Sequence, residues 1–232
     1  AGYGALGANT TGGNNTALGH STLAANTTAN NNVAVGHEAL TANTTGTQNV
    51  ALGQGALTTN TTADNNTAIG RQALRLNTTG HSNVAVGKDA LEANTTADNN
   101  TALGFDALTS NTTAAGNTAV GQAALTTNTT GANNTAVGKS TLAAATTAGN
   151  NTAVGQGAME STTTGAGMVA VGLSSLYTNT TGSNNTAVGK AAMFANTTGH
   201  SQVAFGFGAL DANTTGIQNT ALGYDALTTN TT

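Results

Sequence analysis

Gly53 is followed seventeen residues later by Gly70, and the same step runs from Gly2 to Gly223 without an insertion. A fixed period over a whole chain is the mark of a solenoid or array, in which each copy contacts its neighbours and no central core exists. The stretch Asn49–Asn65, NVALGQGALTTNTTADN, serves as the type copy, numbered from Asn49 as position one. Position five is Gly in fourteen copies and position three is Ala in thirteen. Position nine is always Leu or Met, and Thr-Thr fills positions thirteen and fourteen through to Thr231-Thr232. Asn stands at position twelve except at Ala145 and Thr162, and at position one except at Met168 and Gln202. The array covers 1–232 as one domain, shows no caps, and reads as a segment of a longer fibre.

The charges keep the same register. Every Lys, Arg, Asp and Glu falls at position six, seven, ten or sixteen, as Lys88, Asp89, Glu92 and Asp98 show within one copy. Those positions are expected to face water and the fixed ones to face neighbours, a division that a disordered low-complexity coil would not keep. Charged residues are only 6% of the chain, against roughly 25% in an ordinary soluble domain. Five Lys plus Arg and a net charge of −4 leave no basic stripe for nucleic acid. The absence of cysteine excludes disulfides and thiolate metal sites. No apolar run is long enough to span a membrane as a helix.

Seventeen residues is too short for a strand-plus-helix repeat, and Asn, Thr and Gly are poor helix formers. The predicted fold class is therefore all-β: a parallel β-roll or β-solenoid, one repeat per turn and about 13.6 turns (232/17). Positions one to five alternate like a short strand, with Thr or Val at two and Val or Leu at four expected inward and Ala at three outward. Ala-Leu at eight and nine is read as a second short strand and Thr-Thr as a third extended piece. Gly at five, and Gly or Ala at fifteen, supply corners. At about 4.8 Å per turn the rod would be on the order of 65 Å long. Identical residues would then stack into ladders along the axis, here exemplified by Asn60, Thr61, Thr62, Asn66, Gly70 and Leu74. Three or four small apolar residues per turn bury little, and an outward Ala at position three would suit close approach of further chains, so a homotrimer is expected.

The recurring NTAVG followed by AL, as at Asn134–Gly138 and Asn185–Gly189, resembles the head repeats of YadA-like trimeric autotransporter adhesins. The longer unit with ALxxNTTG is similar to repeats of phage and viral tail-fibre proteins. The resemblance implies a left-handed parallel β-roll, three chains side by side, and a role in adhesion at a cell or virion surface. The period of seventeen is longer than that of the adhesin head repeat.

Candidate chemistry is sparse. His20 and His37 occupy position six in adjacent copies and would lie about 5 Å apart, but two imidazoles with only Glu38 nearby make a poor zinc site. Asp64, His81 and Asp98 share position sixteen and read as a surface stripe. No nucleophile motif or phosphate loop occurs, so no enzyme and no cofactor are expected. Asn-Thr-Thr triplets such as Asn43, Asn60 and Asn77 are formal glycosylation acceptors, and six Asn-Asn-Thr triplets, Asn65 and Asn184 among them, add more. Exposed apolar groups at position six (Phe105, Leu173, Phe207, Tyr224) and position ten (Tyr177, Phe194) are the candidate contacts for a cell-surface or glycan ligand. The expected function is a non-enzymatic extracellular fibre segment for adhesion, with a subunit polymerising end to end into a filament as the alternative. An ice-binding solenoid stands third, disfavoured because adjacent Thr side chains point to opposite faces.

Overall fold

The computed structural model describes residues 1–231; Thr232, the last residue of the final Thr-Thr pair, lies outside them. The chain is an all-β solenoid with one 17-residue repeat per turn. It divides into two compact units, Ala1–Gly116 and Asn117–Thr232, whose boundary falls between position seventeen of one copy and position one of the next.

In the first unit the strands are β1 (Thr16–Leu18), β2 (Val33–Val35), β3 (Val50–Leu52), β4 (Thr67–Ile69), β5 (Val84–Val86) and β6 (Thr101–Leu103). Each pairs in parallel with the next in a register of seventeen, so that Ala34 lies beside Ala51 and Ala51 beside Ala68. The second unit repeats the arrangement with β7 (Thr118–Val120), β8 (Thr135–Val137), β9 (Thr152–Val154), β10 (Val169–Val171), β11 (Thr186–Val188), β12 (Val203–Phe205) and β13 (Thr220–Leu222). There Ala153 lies beside Ala136 and Ala170. Adjacent turns are joined throughout by backbone bonds such as Val50 N–H to the Asn66 carbonyl and Gly53 N–H to the Val35 carbonyl, both 2.8 Å.

Two expectations are corrected. The first is the sense of the strand. Ala51 is fully buried while Val50 and Leu52 are half-buried, and the same inversion holds in every interior copy. Position three faces the solenoid interior, and positions two and four face out. The expected reason for a trimer, an outward Ala, is thereby removed. The second concerns positions eight, nine, thirteen and fourteen, which form no strands among the described residues: a full turn has one three-residue strand and is otherwise built of turns and bends.

Those turns explain the corner chemistry. The Ala56 N–H bonds the Gly53 carbonyl, and one copy on, the Arg75 N–H bonds the Gln72 carbonyl at 3.2 Å. Each turn places a left-handed residue third, at position seven (Gln72, φ 58°) and position nine (Leu57, φ 51°). A β-turn with positive φ at its third residue ordinarily takes Gly there. Here a leucine or methionine holds that conformation in every copy, at a cost of roughly 1–2 kcal/mol each. Full burial of the side chain, as at Leu57 and Leu74, returns roughly 1.5–3 kcal/mol.

The core of one turn is Asn49, Ala51, Ala56, Leu57, Asn60 and Ala63, all fully buried. Two of these six are polar, and each is satisfied by stacking. Asn60 Nδ2 donates to Asn43 Oδ1 at 3.0 Å and to the Ala63 carbonyl at 3.1 Å, and Asn60 Oδ1 accepts from Asn77 Nδ2 at 2.9 Å. At position one, Asn49 Oδ1 accepts the Asn66 N–H at 3.0 Å, and Asn49 Nδ2 donates to the Ala63 carbonyl at 2.8 Å. The two ladders thus meet at the carbonyl of position fifteen. A third ladder runs outside them: the Thr61 hydroxyl and N–H both donate to the Thr78 carbonyl.

Candidate functional site

The ladder residues singled out from the sequence fall into two groups. Asn60, Asn66, Gly70 and Leu74 are structural parts of the turn, and Thr61 bonds the next turn through its hydroxyl. Thr62 is exposed and takes no side-chain bond, so the Thr-Thr pair does split between a bonded inner residue and an outer one. Asn43, Asn60 and Asn77 are fully buried with their amide nitrogens donating within the Asn ladder, which withdraws them as sugar acceptors in the folded chain.

The aromatic candidates form short columns, because a repeat of one turn sets equivalent rings one above another. Tyr177 stacks on Phe194 with centroids 5.2 Å apart and planes 4° from parallel. Phe207 stacks on Tyr224 at 5.2 Å, with the Lys190 ammonium 5.6 Å from the Phe207 centroid. Phe105 carries Lys88 at 4.8 Å. Leu173, in the second unit, is exposed at position six. One face of each paired ring is spent on its stacking partner. Beside the Tyr177 column lies a shallow open groove of about 440 Å³ lined by Thr126, Thr127, Ala143, Ala144, Glu160 and Ser161. Its Thr127 hydroxyl is engaged with the Ala143 and Ala145 carbonyls.

The titratable groups are arranged for stacking as well. His20 and His37 lie ring on ring at 5.1 Å with Tyr3 beyond His20 at 5.5 Å, so the in-plane nitrogen lone pairs do not converge. Among the described residues no group of three or more His, Cys, Asp or Glu could hold a metal. At position sixteen the stripe is a ladder from side chain to backbone. Asp64 Oδ1 accepts the Thr47 N–H at 2.6 Å, His81 Nδ1 accepts the Asp64 N–H at 2.9 Å, and Asp98 Oδ1 accepts the His81 N–H at 2.7 Å. Each side chain satisfies a backbone donor one turn away. Nearby, Arg75 bonds Glu92 at 2.8 Å and Lys88 bonds Asp89 at 2.8 Å. Burial, and then the neighbouring Asp89 carboxylate, raise the Asp106 carboxyl above its ordinary value.

One further surface is formed by residues expected from the sequence to lie inside. The outer face of the sheet carries position two and position four, and no charged residue occurs at either in any copy. In the first unit Leu18, Ile69, Val84 and Leu103 are exposed there; in the second, Val154, Val169, Val171, Val203, Phe205 and Leu222. Leu103 is 45% exposed and Phe205 52%, which is high for residues of a sheet centre. The signal in the sequence was tolerance of size: position four takes Val, Leu, Ile and Phe, whereas position three takes Ala alone.

No protein-family model, curated protein or solved structure matches the chain.

Proposed function

We propose that the chain is a non-enzymatic extracellular fibre segment that associates with further copies of itself through the outer face of its sheet and serves attachment to a surface. The observation that supports this reading is the uncharged face of positions two and four, with Val, Leu, Ile or Phe at position four of every strand and Thr or Val at position two, and with apolar side chains exposed there in both units. A rank of exposed apolar side chains without a charge among them ordinarily marks an interface. A second copy fits it: the copy carries the same ranks at the same axial spacing, so side chains of one face interleave with those of the other. Three such narrow faces meeting about an axis make a homotrimer. The aromatic columns at Tyr177–Phe194 and Phe207–Tyr224 lie off that face, at positions six and ten, and are the candidate contacts for a cell-surface or glycan ligand.

Electron microscopy of the purified chain, with its mass in solution, tests the proposal. Discrete particles at three times 22.4 kDa are expected. Long filaments would replace the bounded assembly with end-to-end polymerisation, and a monomer at concentrations well above micromolar would sink self-association altogether.

A further inference from the structure

The asparagines of position seventeen differ from the ladder asparagines in every respect that a modifying enzyme would sense. Asn14, Asn65, Asn99, Asn133, Asn150 and Asn184 are exposed, whereas ten asparagines of position twelve are fully buried. All six hold a left-handed backbone, with φ between 58° and 61°. That conformation is one Asn tolerates well, but the fold does not demand Asn there. Gln48, Ser82, Gly116, Gly167, Ser201 and Gln218 take the same position with positive φ. Among the described residues no hydrogen bond engages the six side-chain amides.

The residue two places on gives the second observation. Six of the seven copies with Asn at position seventeen have Thr at position two of the next strand; of the six copies without it, two do. Each of these Asn residues thus heads an Asn-x-Thr triplet, as in Asn65-Asn66-Thr67. Nothing in the packing couples the pair: no bond joins Asn65 to Thr67, and position two is an outward position equally served by Val. No hydrogen bond of the fold accounts for the pairing, and Asn-x-Thr is the acceptor signal for N-linked sugar.

We propose that Asn14, Asn65, Asn99, Asn133, Asn150 and Asn184 are the sugar acceptors of the folded chain, a row of one site per turn where present, and that the Asn-Thr-Thr triplets are not. The donor is a nucleotide-activated hexose. The Asn Nδ2 bonds the anomeric carbon, the bond from that carbon to the diphosphate breaks, the nucleoside diphosphate leaves with the electron pair, and the amide gives up one proton to solvent. Because Thr67 and its equivalents lie on the face proposed to be covered by self-association, the sugar is added before the chains meet.

The test treats the folded chain with a soluble N-glycosyltransferase and UDP-glucose, then maps hexose site by site by peptide mass spectrometry. The same chain unfolded in a denaturant that the enzyme tolerates, or cut into peptides, serves as comparison. Hexose confined to the six sites in the folded chain, and spreading to Asn43, Asn60 and Asn77 once unfolded, is the expected result. Thr67→Ala should remove hexose from Asn65 alone. Modification of the buried ladder in the folded chain, or none at the six while the peptides are modified, would overturn the proposal. The folded chain is treated at a dilution where its mass in solution is 22.4 kDa, so that absence of hexose at the six sites reports on the sites and not on cover by a second copy.

Discussion

Position five and position seven both hold left-handed backbone, yet only one of them is always glycine. A Cβ on Gly53 would lie 2.5 Å from the Gly70 carbonyl oxygen and 2.7 Å from its carbon, so the next turn forbids any side chain. A Cβ on Gly55 would meet nothing closer than 3.5 Å, the Thr58 hydroxyl. Gly53→Ala must therefore push two turns apart, whereas Gly55→Ala bears only the conformational cost, about 1 kcal/mol. Chemical denaturation of the two variants should show a small shift for Gly55→Ala and a loss several times larger for Gly53→Ala. Equal losses would mean that φ alone dictates the glycine. A second residue-scale test concerns Asp106. Its carboxyl is raised by burial and by Asp89, so folding favours the protonated form. The associated stability is complete below the ordinary carboxyl value and is lost as pH rises through the raised one. Asp106→Asn should stabilise the chain at neutral pH and flatten that acidic limb of the pH profile; a steeper limb would contradict the shift.

A ladder is an element in its own right here, and its defects are correlated. Position twelve loses Asn at Ala145 and Thr162, and the next turn is the one whose position one is Met168. Met168 is buried, its sulfur accepts from Asn179 Nδ2 at 3.5 Å, and Thr162 Oγ1 accepts from the same nitrogen at 3.3 Å. A longer side chain at position one thus reaches across to fill the place that a shorter one at position twelve leaves. Gln202 also reaches across to position twelve, but where no Asn is missing: it donates to Asn196 Oδ1 at 3.0 Å and accepts from Asn213 Nδ2 at 2.8 Å. Met168→Asn alone should open a gap beside Thr162 and cost roughly 2–4 kcal/mol by the usual penalty of shortening a core side chain. Combined with Thr162→Asn it should cost much less, since Asn179 regains an amide partner. A double-mutant cycle giving additive losses would disprove the coupling.

The period, the single turn per copy and the ladders were legible because stacking forces identical residues into identical environments, and a buried Asn must repeat to be satisfied. The inward side of the strand was not legible from alternation alone. Ala at three and Val at four are both apolar, and a parity argument cannot choose between them. What decides is space. Ala51 shares the fully buried interior of its turn with Ala56, Leu57 and Ala63, whereas Leu52 stays half-buried, and the enclosed side takes the smaller side chain. The turns at positions five to nine were also hidden, because a leucine in left-handed conformation contradicts local propensity and is held only by its burial.

At the scale of the whole molecule, reversing the strand relocates the cohesive surface from an alanine rank to position four, where every strand carries Val, Leu, Ile or Phe, flanked at position two by Thr in eight strands and Val in five. An outward Ala would have asked only for close approach; exposed Leu, Ile and Val ask for burial. Each such side chain removed from water is worth up to roughly 1.5–3 kcal/mol, and the ranks repeat along both units. Charge on this face should therefore abolish assembly while leaving the turn intact, because the substituted side chains already point to solvent. Ile69→Lys with Leu103→Lys in the first unit, and Val154→Lys with Val171→Lys in the second, should each lower the mass in solution toward 22.4 kDa without changing the far-ultraviolet circular dichroism. Charge at Thr62, equally exposed but off the sheet, should leave the mass unchanged. Assemblies that survive all four lysines but fall apart with lysine at Tyr177 and Phe194 would move the contact to the aromatic columns and leave the sheet face in need of another partner.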